Sequence, residues 1–246
     1  MLLSPILILT VLVVGILIGS VGVGGVLLVP ALAFLGGESV HAAISACMLA
    51  YLFPGAVAAM VFTRQGSMNW KLAVPLCASA LPGAYLGAYL LPLFPSVALE
   101  FAIACLVLIC GMHALRGSHG TPLPNPPTAS SLSVFGFITG MGSSLTGTGG
   151  PVLLIPILLW RRVPVLTTIG LSQAIQIPIA LTATAGNLVH GEVNLNLGLA
   201  IGVVLAGGAF IGAKAAHRVP STLLKKTLGM VLLGVGVFIL FRFYAP

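Results

Sequence analysis

Charged residues are scarce in this chain. Only 5% of its 246 residues are Asp, Glu, Lys or Arg, 59% are hydrophobic, and the mean hydropathy is +1.19. Soluble domains usually carry about 25% charged residues, so this composition excludes a soluble globular protein. Successive apolar stretches of about 20 residues meet the length needed to span a bilayer. The sequence therefore predicts a multi-pass membrane protein surrounded by lipid.

Acidic residues are the rarest charged type, and Glu38, Glu100 and Glu192 all stand near the ends of apolar stretches. Without carboxylates inside the spans, neither a divalent-cation site nor a proton relay through Asp or Glu is supported. The histidines are scattered and no cysteines form a C-x-x-C pair, so we expect no metal site. Nucleotide-binding motifs are missing as well. We expect no cofactor and no enzyme activity.

Short alternating strands are also missing, which excludes a membrane β-barrel and leaves an all-α fold. Each half of the chain opens with a long apolar run, Leu2–Leu35 and Leu132–Trp160, followed by three transmembrane helices. The predicted helices are His41–Phe62, Trp70–Leu91, Val97–Leu115, Val165–Leu188, Leu195–Ala215 and Leu223–Phe241.

The sequence does contain an internal repeat. Shifted by 125 residues, the chain aligns Gly22 with Gly147 and Gly25 with Gly150. The other pairs are Gly15–Gly140, Gly24–Gly149, Gly66–Gly191, Gly83–Gly208, Gly87–Gly212, Gly111–Gly236, Asn69–Asn194 and Pro95–Pro220. Such self-similarity indicates a duplication. We divide the chain into a first membrane repeat (1–116), a Pro/Ser-rich linker (117–130) and a second membrane repeat (131–246).

Basic residues predict that the two repeats have opposite orientations. Arg64, Lys71 and Arg116 mark one side of the first repeat, whereas the second repeat holds Glu192 where the first holds Arg64 to Lys71. At the places that match Glu38 and Glu100, the second repeat instead carries Arg161, Arg162, Lys214, Arg218, Lys225 and Lys226. Because basic loops face the cytoplasm, this is the pattern of two inverted repeats, as in secondary transporters. The net charge of +7 is thus explained by membrane orientation, and no nucleic acid is expected.

In an inverted repeat, each opening run must start and finish on the same side. As one helix, Leu2–Leu35 would be ~50 Å long, against ~30 Å of hydrocarbon. Each run is therefore expected to break into a re-entrant hairpin or a pair of short spans. The breaks are predicted at two glycine-rich phrases, GSVGVGG at 19–25 and SSLTGTGG at 143–150.

These phrases are the candidate binding site. New helices should begin after Gly25 and Gly150, and Pro151 suits the first turn of the second one. A helix N-terminus favours an anion, and glycine allows a ligand to approach the backbone closely. We expect the two N-termini to meet near the midplane around a small oxyanion, with Ser143 among the hydroxyl donors. The predicted substrate-binding residues are Ser20, Gly22, Gly24, Gly25, Ser144, Thr146, Gly147, Thr148, Gly149, Gly150, Gln173 and Gln176.

Other polar residues receive weaker assignments. Gln173 and Gln176 share a helix face and are expected near the pocket, whereas their first-repeat counterparts near Met48 and Tyr51 are mostly apolar. Weaker candidates are His41, Ser45 and Asn187. Helix capping is the preferred role of Asn69 and Asn194, and close helix packing is the preferred role of the G-x-x-x-G pairs 83–87 and 208–212.

The phrases GSVGVGGVLLVPALAFLG and TGTGGPVLLIPILL, each opening one half of the chain, resemble those of the TauE/SafE sulfite exporter family, and the resemblance covers essentially the whole sequence. It implies a bacterial inner-membrane transporter that exports a small sulfur-containing anion such as sulfite, a sulfonate or sulfoacetate. The residues themselves leave two alternatives open: transport of another small anion such as a carboxylate, or a structural membrane subunit without transport. The oligomeric state is open as well.

Overall fold

The computed structural model describes residues 5–95, 127–190 and 193–244 and isolated positions between 97 and 115. These residues are helical and contain no strand, so the predicted all-α fold is confirmed for this part of the chain. The helices are α1 (Pro5–Val21), α2 (Gly25–Leu35), α3 (Val40–Ala50), α4 (Leu52–Arg64), α5 (Trp70–Leu90), α6 (Ala129–Thr146), α7 (Pro151–Trp160), α8 (Val165–His190), α9 (Leu195–Ala216) and α10 (Ser221–Tyr244).

Four helical stretches among the described residues are long and apolar enough to cross a membrane: Val40–Arg64, Trp70–Leu93, Val165–Val189 and Leu195–Ala216. They agree with the predicted spans to within a few residues. The predicted span Val97–Leu115 lies largely outside the described residues. Glu100, Arg116, Glu192 and most of the 117–130 linker lie outside them as well.

Both opening runs are broken, as predicted. Helix α2 has 11 residues and α7 has 10, which makes each about 15 Å long, half of the hydrocarbon thickness. Each short helix folds back along the one before it. A Cβ atom placed on Gly24 would lie 2.5 Å from the carbonyl oxygen of Val14, and one on Gly142 would meet the side chain of Leu153 at 2.7 Å. Both opening segments are therefore helical hairpins.

The hairpins pack across the two halves of the chain. Helix α1 lies against α9, and α6 lies against α5. Gly208 and Gly212 face the backbone of α1 at Leu12 and Ile16. Gly83 and Gly87 face α6 at Phe137 and Met141 in the same manner. The packing role predicted for both G-x-x-x-G pairs is confirmed, since a side chain at any of the four positions would meet main-chain atoms.

The helices α3 and α4 form one span that is interrupted at Tyr51, where neither helix includes the residue. Pro54 explains the interruption, because proline lacks an N–H and its ring clashes with the carbonyl four residues earlier. This span runs antiparallel to α8. Gly55 lies beside Gln176, whereas Gly170, nearer the start of α8, lies beside Phe62. The two stretches that correspond in the repeat thus cross near their midpoints in opposite directions.

Basic residues gather at one end of the bundle. A hydrogen bond of 3.0 Å between Ser67 Oγ and His217 Nε2 joins the loop after α4 to the end of α9, and the start of α8 lies beside the end of α4. The basic residues in these connected segments are Arg64, Lys71, Arg161, Arg162, Lys214 and Arg218. Here the helix capping predicted for asparagine is confirmed at Asn69, which accepts from Lys71 N; at the opposite end Asn194 accepts from Leu197 N.

Candidate functional site

The two glycine phrases form the breaks between the hairpin helices. Helix α1 ends at Val21 and α2 begins at Gly25, with Gly22 at φ +78° between them. The second break is tighter, because Gly147, Gly149 and Gly150 have φ values of +68°, +78° and +112°. Only glycine enters these regions without strain. The glycine-rich composition of the second phrase is therefore required by its backbone, independently of any ligand.

The two breaks lie next to each other in the middle of the bundle. A Cβ atom placed on Gly25 would be 2.7 Å from the carbonyl oxygen of Thr148, and one on Gly149 would be 2.8 Å from the ring of Tyr51. The Tyr51 hydroxyl donates a 2.6 Å hydrogen bond to the carbonyl oxygen of Gly25. Tyr51 thus connects the two hairpins at the midpoint of the α3–α4 span.

Tyr51 is the site residue that the sequence prediction missed. The sequence places Tyr51 among the mostly apolar first-repeat counterparts of Gln173 and Gln176. In the structure, however, its hydroxyl bonds Gly25 in the first break and its ring lies against Gly149 in the second. The repeat itself carried the signal, because Tyr51 stands 125 residues before Gln176 and so occupies the same place in its half.

Buried polar side chains surround the breaks on α6 and α8. Ser143, Ser144 and Gln173 have no exposed surface and Gln176 is 1% exposed. Gln173 Nε2 donates to the carbonyl oxygen of Ile18 at 2.6 Å and so holds the end of α1 against α8. Ser143 Oγ, 3.9 Å from a Cβ atom placed on Gly150, has no hydrogen-bond partner, and neither do Gln173 Oε1 and Gln176 Oε1. Ser144 Oγ is unpartnered as well, but Ser144 lies on the side of α6 that faces α5. Burying an unpaired polar group costs about 1–3 kcal/mol, so the unpartnered atoms near the breaks call for an explanation.

The two breaks differ in polarity. In the second, the hydroxyls of Thr146 and Thr148 lie 3.0 Å apart, and Thr146 also donates to the carbonyl oxygen of Gly142. The equivalent positions of the first break are Val21 and Val23, both buried. Apart from the Tyr51 hydroxyl, the hydroxyl groups described at the junction therefore come from the second repeat.

Three predicted site residues lie away from the junction of the breaks. Ser20 faces α9, where its backbone nitrogen lies near Gly212, and its hydroxyl donates to Ile16 O within its own helix at 2.7 Å. Gly22 lies against Ile155 and Ser172. Ser144 faces α5, where its Cβ lies 2.8 Å from a Cβ atom placed on Gly87. The other predicted residues belong to the breaks themselves or lie beside them on α8.

The site carries no charged side chain among these residues, so its polarity is that of hydroxyls, amides and helix ends. Gly24 and Gly150 are the N-terminal caps of α2 and α7, and a helix N-terminus carries a partial positive charge. Within the described residues, no group of three or more His, Cys, Asp or Glu is placed to hold a metal ion.

A bundle of apolar helices with two half-length hairpin helices meeting at a buried polar junction is the architecture of a membrane transporter. The family model described as Sulfite exporter TauE/SafE matches residues 7–239. The chain therefore belongs to the TauE/SafE family, and the resemblance seen in its glycine phrases is confirmed.

Curated relatives carry names of the same class. The chain is 22% identical to "Probable membrane transporter protein YdhB" of Bacillus subtilis, with 96% of this chain and 99% of the relative covered. It is 26% identical to a "Probable membrane transporter protein" of Xylella fastidiosa, with 94% and 93% covered. It is 24% identical to "Probable membrane transporter protein MJ0441" of Methanocaldococcus jannaschii, with 98% and 96% covered. No solved structure matches the chain significantly. The protein is thus a multi-pass membrane transporter.

Proposed function

We propose that this transporter carries a small sulfur-containing oxyanion, such as sulfite or a sulfonate, through the junction of the two breaks. The observation that carries the proposal is the pair of buried, unpartnered oxygens near the breaks: Ser143 Oγ beside Gly150, the N-terminal cap of α7, and Oε1 of Gln173, whose Nε2 bonds the end of α1. Helix N-termini favour anions through their partial charge and free N–H groups. The family description, a sulfite exporter, supports the same class of cargo.

The mixture of donors and acceptors narrows the cargo further. The hydroxyl of Ser143 can donate to an oxyanion, whereas the amide oxygens of Gln173 and Gln176 can only accept. An anion that carries both bare oxygens and an O–H or N–H group uses both kinds of partner. Hydrogen sulfite and amino-substituted sulfonates have this combination, and a simple carboxylate such as acetate does not.

Orientation follows from the basic end of the bundle. By the positive-inside rule, the end that holds Arg64, Arg161 and Arg218 faces the cytoplasm, and the two repeats then cross a bacterial inner membrane in opposite directions. The antiparallel packing of the α3–α4 span and α8 supports this inversion. An inside-negative potential favours anion exit by ~2.3 kcal/mol per charge per 100 mV, so we propose export.

The test is the flux of labelled sulfite into proteoliposomes at set membrane potentials, for the wild type, Ser143→Ala and Ser133→Ala. Ser143 Oγ has no partner, so its removal should leave the free energy of unfolding unchanged or raise it. Ser133, on the same helix α6, is 10 residues away, about 15 Å along the axis, and serves as the matched control.

We expect flux that responds to potential, falls at least tenfold in Ser143→Ala and persists in Ser133→Ala. Unchanged flux in Ser143→Ala would place the pathway elsewhere. Competition separates the cargo classes: taurine, which carries an N–H group, should compete with sulfite better than methanesulfonate or acetate does. If acetate competes equally well, the site is one for small anions in general.

A further inference from the structure

A cavity lined by several polar residues lies at the end of the bundle opposite the basic residues. It has a volume of about 290 Å³ and is lined by Ser39, His41, Ala42, Ser45, Leu91, Pro92 and Asn187. The lining comes from the start of α3, the short 3-10 turn that follows α5 and the last turns of α8. His41, Ser45 and Asn187, which the sequence offers as weaker candidates for a pocket, thus share one space.

Asn187 is the most informative residue of this cavity. It is 2% exposed, and its Nδ2 donor has no hydrogen-bond partner. Ser45, 3% exposed, adds a hydroxyl group to the same wall. The start of α3, whose cap Ser39 accepts from Ala42 N, also reaches the cavity and brings the positive end of an 11-residue helix to it. Two donors and a helix N-terminus favour an anion.

A stripe of four polar residues on one face of α8 runs from the central junction toward this cavity. At about 100° per residue, the positions 173, 176, 184 and 187 fall on one face of the helix. Each of Gln173, Gln176, Thr184 and Asn187 has an unpartnered buried atom. From Gln176 to Asn187 the stripe covers 11 residues, about 16 Å.

The other end of the bundle is closed at the equivalent positions. Counted 125 residues apart, Asn187 corresponds to Phe62, Ser45 to Gly170 and Pro92 to His217. Phe62 is fully buried. Its side chain lies against Gly170, and its ring lies 4.7 Å from the ring of His217. Positions that line a cavity at one end are packed together at the other.

We infer that the cavity at Asn187 is an outer anion-binding site at the mouth of the transport pathway. In the state that the structure shows, Phe62 closes this pathway toward the basic end of the bundle. The inference rests on the proposed function for its cargo. Asn187 and Ser45 contact the anion there, and the stripe through Thr184 leads it to or from the central junction.

The test uses thiol labelling, so that its outcome does not depend on knowing the cargo. Single cysteines are introduced as Asn187→Cys, Phe62→Cys and, as a matched control, Asn196→Cys, which lies exposed on α9 at the same end. The reagents are membrane-impermeant methanethiosulfonates of similar size, one bearing a sulfonate and the other a quaternary ammonium. The four native cysteines are replaced by alanine, and vesicles of both orientations are labelled.

We expect Asn187→Cys to react from the side opposite the basic loops, and Phe62→Cys to react from neither side. The quantity compared is the labelling rate with the anionic reagent divided by the labelling rate with the cationic reagent. This ratio should be about tenfold higher at Asn187→Cys than at Asn196→Cys. Equal preference at the two positions, or a cysteine at 187 that reacts from neither side, would overturn the outer site. Ser45→Cys, in the same cavity, gives the same readout if Asn187→Cys fails to fold.

The two proposals fail in different ways. If Ser143→Ala abolishes sulfite flux while labelling at 187 shows no anion preference, only the outer site is wrong. If labelling shows the preference but the wild type carries neither sulfite nor sulfonates, the cargo is wrong and the outer anion site stands.

Discussion

Gly207 and Gly208 are neighbours in α9 with opposite surroundings, which gives a matched pair for measuring what the helix contact contributes. A Cβ atom on Gly207 would meet nothing within 4 Å. One on Gly208 would lie 2.5 Å from the carbonyl oxygen of Leu12 and 2.9 Å from the Cα of Gly15. Both substitutions to alanine are otherwise the same chemical change in the same helix.

The expected magnitudes follow from these distances. Ordinary contact begins at 3.4 Å, so Gly208→Ala must separate α1 and α9 by roughly 0.9 Å, the difference between 3.4 and 2.5 Å. A radial gap of about this size removes a quarter to a half of the dispersion energy of each atom pair, and overpacking typically costs about 1–3 kcal/mol. Gly207→Ala has no such cost and gains up to ~1 kcal/mol of helix propensity.

The assay is equilibrium unfolding of both variants in mixed micelles, with helix content as the signal. Gly208→Ala should lower the free energy of unfolding by about 1–3 kcal/mol, and Gly207→Ala should leave it unchanged or raise it. The double variant Gly15→Ala with Gly208→Ala should cost less than the sum of the single variants, because both methyl groups open the same contact. Equal stabilities of the two single variants would refute the close approach of these helices.

Three further predictions concern the breaks and the helix caps. Tyr51→Phe removes one buried hydrogen bond and keeps the ring, so it should cost about 1 kcal/mol of unfolding free energy, and Tyr51→Leu should cost more; equal losses would mean that the ring contact contributes nothing. Gly149 and Gly37 both have a positive φ, so replacing either with alanine should cost about 1–2 kcal/mol. Only the alanine at position 149 also meets a ring, that of Tyr51, so thermal unfolding should show a larger loss of stability for Gly149→Ala than for Gly37→Ala. Asn194→Ala should cost about 1 kcal/mol through loss of the cap, while Asn196→Ala, on the exposed surface of the same helix, should match the wild type.

The elements that the sequence predicted well are those fixed by local chemistry. Hydrocarbon permits an unwound backbone only where protein or a cavity covers it, so the dense glycines at 19–25 and 147–150 had to mark breaks. Asn69 and Asn194 stand where helices begin, and a short polar side chain at such a place is a cap. The G-x-x-x-G spacing identified close packing but not the partner, which is a helix of the other repeat in each case.

The features that the sequence did not predict depend on contacts between distant segments. Tyr51 reaches Gly25 and Gly149, 26 and 98 residues away, and a tyrosine in an apolar helix gives no local sign of that. The outer cavity needs Ser45 and Asn187 from different repeats to face each other. Each looked like an isolated polar residue, and only the register of the two antiparallel spans places them together.

The two ends of the proposed pathway differ in the polarity of their side chains. This difference affects some properties of transport and leaves others unaffected. Hydroxyls occupy the second break, and Asn187 stands where the other repeat has Phe62. A difference of this kind cannot set the direction of net transport, because an equilibrium between two sides depends only on the gradients across the membrane. It can make the affinities from the two sides unequal. If export is driven by the potential, the basic loops and the apolar closure at Phe62 govern how often the anion enters, and the polar stripe toward Asn187 governs how quickly it leaves. A weakly binding exit is then an advantage, which agrees with an outer site built from neutral donors instead of arginine or lysine.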